Sequence, residues 1–250
     1  MTDKNPIDHA EDNTQPALQP VGNFSILINI FTAPQVGMVQ VQQRYNVIFP
    51  MFLLTVLSAL AMYTYFNLVD YQWYLDYMVE ATAGELSKSE QDATRAAMSM
   101  LSQSATGSFA AGSLLIFIPI VYAIQAVYFV IVSNVSNDGF EFKQWFSFIA
   151  WSATPGLIVV VAMFAFLLTS SNVQIPPDSL NPLSLNELIF GLEPSQGLGK
   201  LLSSIHLGQI WSLAVMVIGY QAWTKKSMAK SAAVVLAPFV IFYASWFLLI

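Results

Sequence analysis

Five stretches of the chain are apolar almost without interruption, at about 47–69, 109–132, 145–169, 206–223 and 231–250. A helix that crosses a bilayer needs roughly 20 mainly apolar residues at a rise of 1.5 Å each. All five runs approach or exceed that length, and none alternates as a barrel strand would. Lipid offers no hydrogen bonds to a backbone, so helices are the form such runs take. The pattern therefore predicts an all-α polytopic membrane bundle with about five transmembrane helices. The fourth run is the shortest and most polar.

The segments between these runs carry their own signals. Residues 23–46 mix apolar and polar positions around Pro34, which suits an amphipathic segment lying at the membrane interface. Residues 1–22 are polar and bear prolines, without the basic start and apolar core of a signal peptide, and read as a disordered tail. The stretch from Ser89 to Thr106 is rich in helix formers and is expected to extend the second span outward as one long helix. Ser184 and Glu187 have capping-box spacing ahead of a short apolar turn at 188–192. Asp70 and Asp76 around Trp73 read as solvated acids in an interfacial aromatic belt.

Positive charge orients the predicted bundle. With the N-terminus in the cytoplasm, that side holds Lys4, Arg44, Lys143, Lys225, Lys226 and Lys230, while the other side holds Lys88, Arg95 and Lys200. Cytoplasmic loops carry the excess of lysine and arginine, so the expectation is N-terminus inside and Ile250 outside. Residues 47–250 then form one inner-membrane domain.

Composition agrees with this picture: 56% of residues are hydrophobic and 10% charged, against about 25% charged in a typical soluble domain. A net charge of −6 disfavours nucleic acid as a partner. There is no cysteine, and the two histidines, His9 and His206, lie too far apart to suggest a zinc site. No glycine loop of the nucleotide-binding kinds occurs. No catalytic, cofactor-binding or metal-binding residue is therefore assigned, and no cofactor is expected.

The five apolar cores contain no Asp, Glu, Lys or Arg, which disfavours a proton-coupled pump, a voltage sensor or an intramembrane aspartyl protease. Their polar residues are Gln125, Gln209, Gln221 and His206. The amides suit hydrogen bonding between helices. His206, beside Ser203 and Ser204, reads as an interfacial polar residue rather than part of a triad, since no carboxylate partner is evident. Gly112, Gly156, Gly208 and Gly219 are candidates for close helix approach. Pro119, Pro155 and Pro238 each free a carbonyl and favour a kink. Kinked helices can enclose a cavity, so two readings stay open: bundle packing alone, or a pocket for a lipid or hydrophobic ligand.

Several of these runs carry a family resemblance. The FTAP at 31–34, the WSATPG at 151–156, the run LSSIHLGQIWSLAVMVIGYQAW and the later AAVVLAPFVIFY resemble the Yip (Ypt/Rab-interacting protein) family, in its bacterial branch. The likeness spans roughly 24–250, with Ser203, Trp211 and Gly219 at the family's characteristic serine, tryptophan and glycine. It implies five spans with the N-terminus inside. Eukaryotic members look like adaptors for small GTPases, a role tied to a long cytosolic N-terminal domain that this sequence does not show. Some bacterial members look like accessory subunits beside ABC-type exporters. The leading expectation is thus a non-enzymatic membrane scaffold or accessory subunit, with the bilayer, an exporter subunit or a second copy of the chain as partner. The alternative is a small transporter or channel for an apolar or lipid-like solute.

Overall fold

A computed structural model describes residues 21–250; the expected tail lies almost wholly outside them. The described residues build a helical membrane bundle with no β-strand among them. Four helical stretches are long and apolar enough to cross a membrane: Ile48–Leu68, Gln103–Ser136, Phe142–Thr169 and Met228–Leu248. Their outward faces carry the apolar side chains that lipid requires, among them Phe52 and Leu60, Ile116 and Ile131, Val161, and Ile241 and Phe247. The fifth expected span is also a helix, Leu207–Thr224, but it falls short of the other four in apolar character. It is the most enclosed of the long helices, packed against five other segments. Protein rather than lipid surrounds much of it, which is why it tolerates Gln209, Ser212 and Gln221.

In chain order, α1 (Asn23–Thr32) and α2 (Pro34–Arg44) form a hairpin, with Pro34 in the first turn of α2, where its missing N–H costs nothing. The pair does not lie apart from the spans. Ile26, Ile30, Met38 and Val41 are fully buried in the main core, while Phe24 and Ile28 keep an apolar outer face. The first span is α3 (Ile48–Leu68).

Two short helices follow. In α4 (Tyr71–Ala83) Asp70 is the N-cap, accepting from the amides of Gln72 and Trp73. Asp76 pairs with Arg95 of α5 (Lys88–Met98). These acids therefore organise a helical hairpin that the sequence pattern did not predict. The second span, α6 (Gln103–Ser136), starts afresh at its N-cap Ser102, so the expected single long helix is broken at 99–102. At 34 residues α6 is about 51 Å long, which outreaches a hydrocarbon core of roughly 30 Å.

The third span is composite: α7 (Phe142–Ser152), a 3-10 turn at Thr154–Gly156, and α8 (Leu157–Thr169). Pro155 sits in this break rather than inside a continuous helix. A loop then leads through a turn at Asn186–Phe190 to α9 (Gly197–Ser204), α10 (Leu207–Thr224) and α11 (Met228–Leu248). At Ser184, half of the expected capping box forms: its hydroxyl accepts from the Glu187 amide at 3.1 Å, while its own amide donates to the Asn181 carbonyl instead of to Glu187.

Two apolar clusters mark the ends of the bundle. The larger is aromatic, with Trp145 stacked at 5.0 Å on Phe129, 5.6 Å on Tyr220 and 5.7 Å on Trp223. It lies beside the lysine-bearing loops and will be called the lysine end. The smaller, around Tyr65, Phe66 and Leu180, lies at the acidic end.

Candidate functional site

Three of the four polar residues singled out in the spans line one cavity. Gln125 of α6, Gln209 of α10 and His206, the N-cap of α10, border a space of about 230 Å3, with Tyr122, Ser204, Ser212 and Gly156. A second space of about 380 Å3 shares Gln125, Gln209 and Phe239 and continues between α6 and α11, past Val121, Ile124, Tyr128, Pro238, Phe242 and Tyr243. Ile124 and Phe242 are more than half exposed, so this cleft opens sideways toward the bilayer. Gln221 is not part of it. It lies at the lysine end in a separate recess with Gln35, Lys225 and Lys226.

The site is built by helix periodicity. Tyr122, Gln125 and Tyr128 recur at three-residue spacing on α6, and Gln209, Ser212 and Met216 at three and four on α10, so each set shares a face. That spacing was available as a signal, but the tyrosines, Ser212 and Phe239 were not identified from sequence. Gln209 and Tyr243 bind each other across the α10–α11 pair, Nε2 donating to the hydroxyl at 3.0 Å. His206 Nδ1 accepts from the Gln209 amide at 3.0 Å, which leaves the proton of the neutral imidazole on Nε2. Neither serine bonds His206: Ser204 donates to the Leu201 carbonyl, and Ser203 Oγ is buried without a partner among the described residues.

The prolines and glycines differ in what they do. Pro238 has no N–H to give the carbonyl of Val234, four residues back. The Tyr128 hydroxyl on α6 takes up that carbonyl at 2.8 Å. The proline thus creates the acceptor that latches α6 to α11 at one end of the cleft. Pro119 lies in α6 one turn before Tyr122 and frees the Leu115 carbonyl without lining either space. The turn at Pro155 and Gly156 lets α10 approach: a Cβ on Gly208 would come within 3.2 Å of the Pro155 oxygen and 3.1 Å of Gly156 Cα. At Gly219 a Cβ would lie 2.9 Å from Met38 Cε and from Phe148 Cε2. Gly112 and Gly156 themselves face open space, so close approach does not depend on their lacking side chains.

Toward the acidic end, Ser204 also borders a recess of about 300 Å3 with Asp178, Asn181, Lys200, Ser203 and Trp246. Asp178 accepts from the Tyr77 hydroxyl at 3.2 Å; burial and then this carboxylate push the phenol up to about 12, so it remains a donor. Among the described residues, no group of three His, Cys, Asp or Glu side chains could hold a metal ion. What the arrangement offers is an apolar slot open to lipid, with an uncharged hydrogen-bonding floor that adjoins a charged recess toward the acidic end.

The family model of the Yip1 domain matches residues 28–249. The chain belongs to the Yip1 domain family. Nothing among the curated proteins or the solved structures matches it. The matched range takes in every element that builds the cleft and most of the α1–α2 hairpin. Of the positions carrying the Yip resemblance, Ser203 is buried beside the recess toward the acidic end, Gly219 packs on Met38, and Trp211 is partly exposed on α10.

Proposed function

We propose that this Yip1-domain chain is a non-enzymatic membrane protein that admits an apolar or lipid-like molecule from the bilayer through the gap between α6 and α11. The observation that carries this reading is the pair of adjoining spaces that share Gln125, Gln209 and Phe239. Together they have the size of a ligand site and its usual composition, mainly apolar with a few convergent polar groups. Ser204 borders both the inner space and the outer recess, which supports movement of a solute between them. In this reading the lysine loops face the bacterial cytoplasm and the acidic loops face outward. Because the chain has no cysteine, single cysteines at Ser99 and Ser227 report sidedness through an impermeant maleimide.

The test of binding is a lipid with a diazirine in one acyl chain, activated by light in native membranes. Labelling should concentrate on peptides bearing Ile124, Phe239 and Phe242, above the level at lipid-facing Val161. Uniform labelling of all outward faces would remove the basis of the proposal.

A second reading, an accessory subunit of an export complex, draws on the α4–α5 hairpin. No residue of α5 is buried, and Arg95 holds the helix to α4 through Asp76 and Gln72. That leaves a stiff, exposed surface with Glu80, Glu85, Glu90 and Asp92. Replacing these four acids by glutamine should abolish co-purification of an exporter subunit in mild detergent; unchanged recovery of a partner would argue against this surface.

A further inference from the structure

We propose that the floor of the cleft selects a lipid whose head is uncharged and carries hydroxyl groups, and disfavours a phosphate-bearing head. This rests on the reading that the cleft admits a lipid. The first observation is the chemistry of the lining. Among the described residues, Gln125, Gln209, His206, Ser212, Tyr122 and Tyr243 supply every polar side chain but Ser204 and Tyr128, and no Asp, Glu, Lys or Arg borders either space. A phosphate entering here would leave its hydration shell and meet no opposite charge, a heavy penalty in a low-dielectric site.

The second observation is unused hydrogen-bonding capacity. Gln209 and Tyr243 satisfy one another, but the half-buried Gln125 amide and the buried Ser212 hydroxyl make no side-chain hydrogen bond among the described residues. His206 spends Nδ1 on its own helix and keeps an Nε2–H to give. The floor thus offers donors and acceptors together, which a hydroxyl can match because it also does both. The apolar walls formed by Ile124, Pro238 and Phe242 suit an acyl chain that still extends into the bilayer.

The charged outer recess sharpens the contrast. Lys200 and Asp178 border that space and not the cleft, with Ser204 between them. Charged side chains thus border the recess and not the cleft.

The protein in phosphatidylcholine nanodiscs would be exposed to two light-activated probes with identical diazirine-bearing acyl chains, a diacylglycerol and a phosphatidic acid. The diacylglycerol should label the α6 and α11 peptides at least about tenfold more than the phosphatidic acid, since the latter leaves a charge unpaired. Gln125→Leu combined with Ser212→Ala should lower diacylglycerol labelling by about tenfold, the effect of unmatched polar groups, without changing labelling at Val161. Equal labelling by both probes, or no response to the double variant, would overturn the headgroup proposal and leave lipid entry standing. If neither probe labels the cleft, lipid entry itself fails, and this inference with it.

Discussion

The two ends of the bundle are packed differently, with a large aromatic core at one and a smaller apolar cluster at the other. At the lysine end, α2, α6, α7 and α10 converge on Trp145, which is fully buried among Phe129, Phe148, Tyr220 and Trp223. Three helices stop there on left-handed residues that are not glycine: Tyr45, Asn137 and Lys225. That conformation costs roughly 1–2 kcal/mol at a residue with a Cβ, and at Tyr45 the side chain explains why it is kept. Its hydroxyl accepts from Gln144 and its ring meets Trp223 edge-on. Lys226 pairs with Asp138, whose side chain is 7% exposed, and so joins the two short loops. Toward the acidic end, a cleft lies between α6 and α11 beside the Tyr128 latch, the third span is broken at Pro155, and two further spaces adjoin. The lesson is that a helical membrane protein need not distribute packing evenly: one end is tightly fastened, and the other holds open spaces.

The strongest way to break this comparison is at Trp145. Trp145→Ala should lower stability by about 3–5 kcal/mol, the usual cost of removing a large buried aromatic, measured as unfolding in detergent. A loss under about 1 kcal/mol would mean that the lysine end is not the fastened one. Next in size is Lys226→Met, which strands the Asp138 carboxylate and should cost about 3 kcal/mol; Lys226→Met with Asp138→Leu should recover most of it.

Tyr128→Phe should cost about 1–3 kcal/mol by leaving the Val234 carbonyl unpaired. In a Pro238→Ala background the same change should cost less, because residue 238 then has an N–H for that carbonyl. Equal costs in both backgrounds would show that the latch does not depend on the proline. The smallest effect belongs to the cleft: Gln125→Leu should shift stability by no more than about 0.5 kcal/mol, since its amide makes no hydrogen bond among the described residues. A larger loss would make Gln125 a packing residue and the cleft an incidental gap.

The lipid-facing helices were legible because lipid enforces one simple rule. Residues such as Ile116, Val161 and Ile241 must be apolar wherever the neighbouring helices happen to be, so long apolar runs identify α3, α6, α8 and α11. The short helix α4 was missed because YQWYLDYMVEATA is too short to span and too mixed to show a single face. The break between α5 and α6 depends on Ser102 acting as a cap, a signal no stronger than many serines that do not. The hairpin of α1 and α2 read as a surface segment because its buried side, Ile26, Ile30, Met38 and Val41, is no more apolar than an interfacial face would be. Only a partner surface distinguishes the two.

Gln125, Gln209 and His206 could be picked out from sequence as polar residues in apolar runs, but not grouped. Their convergence, and the separation of Gln221 from them, depend on how α6, α10 and α11 cross. By itself the sequence determined that this chain is a helical membrane protein of the Yip kind, since transfer to lipid is decided residue by residue. Tertiary structure alone decided that the most polar long helix lies at the centre and that Tyr128 claims the carbonyl Pro238 sets free. It also decided that the polar residues meet in a cleft, because contacts between distant segments are set by how whole helices pack.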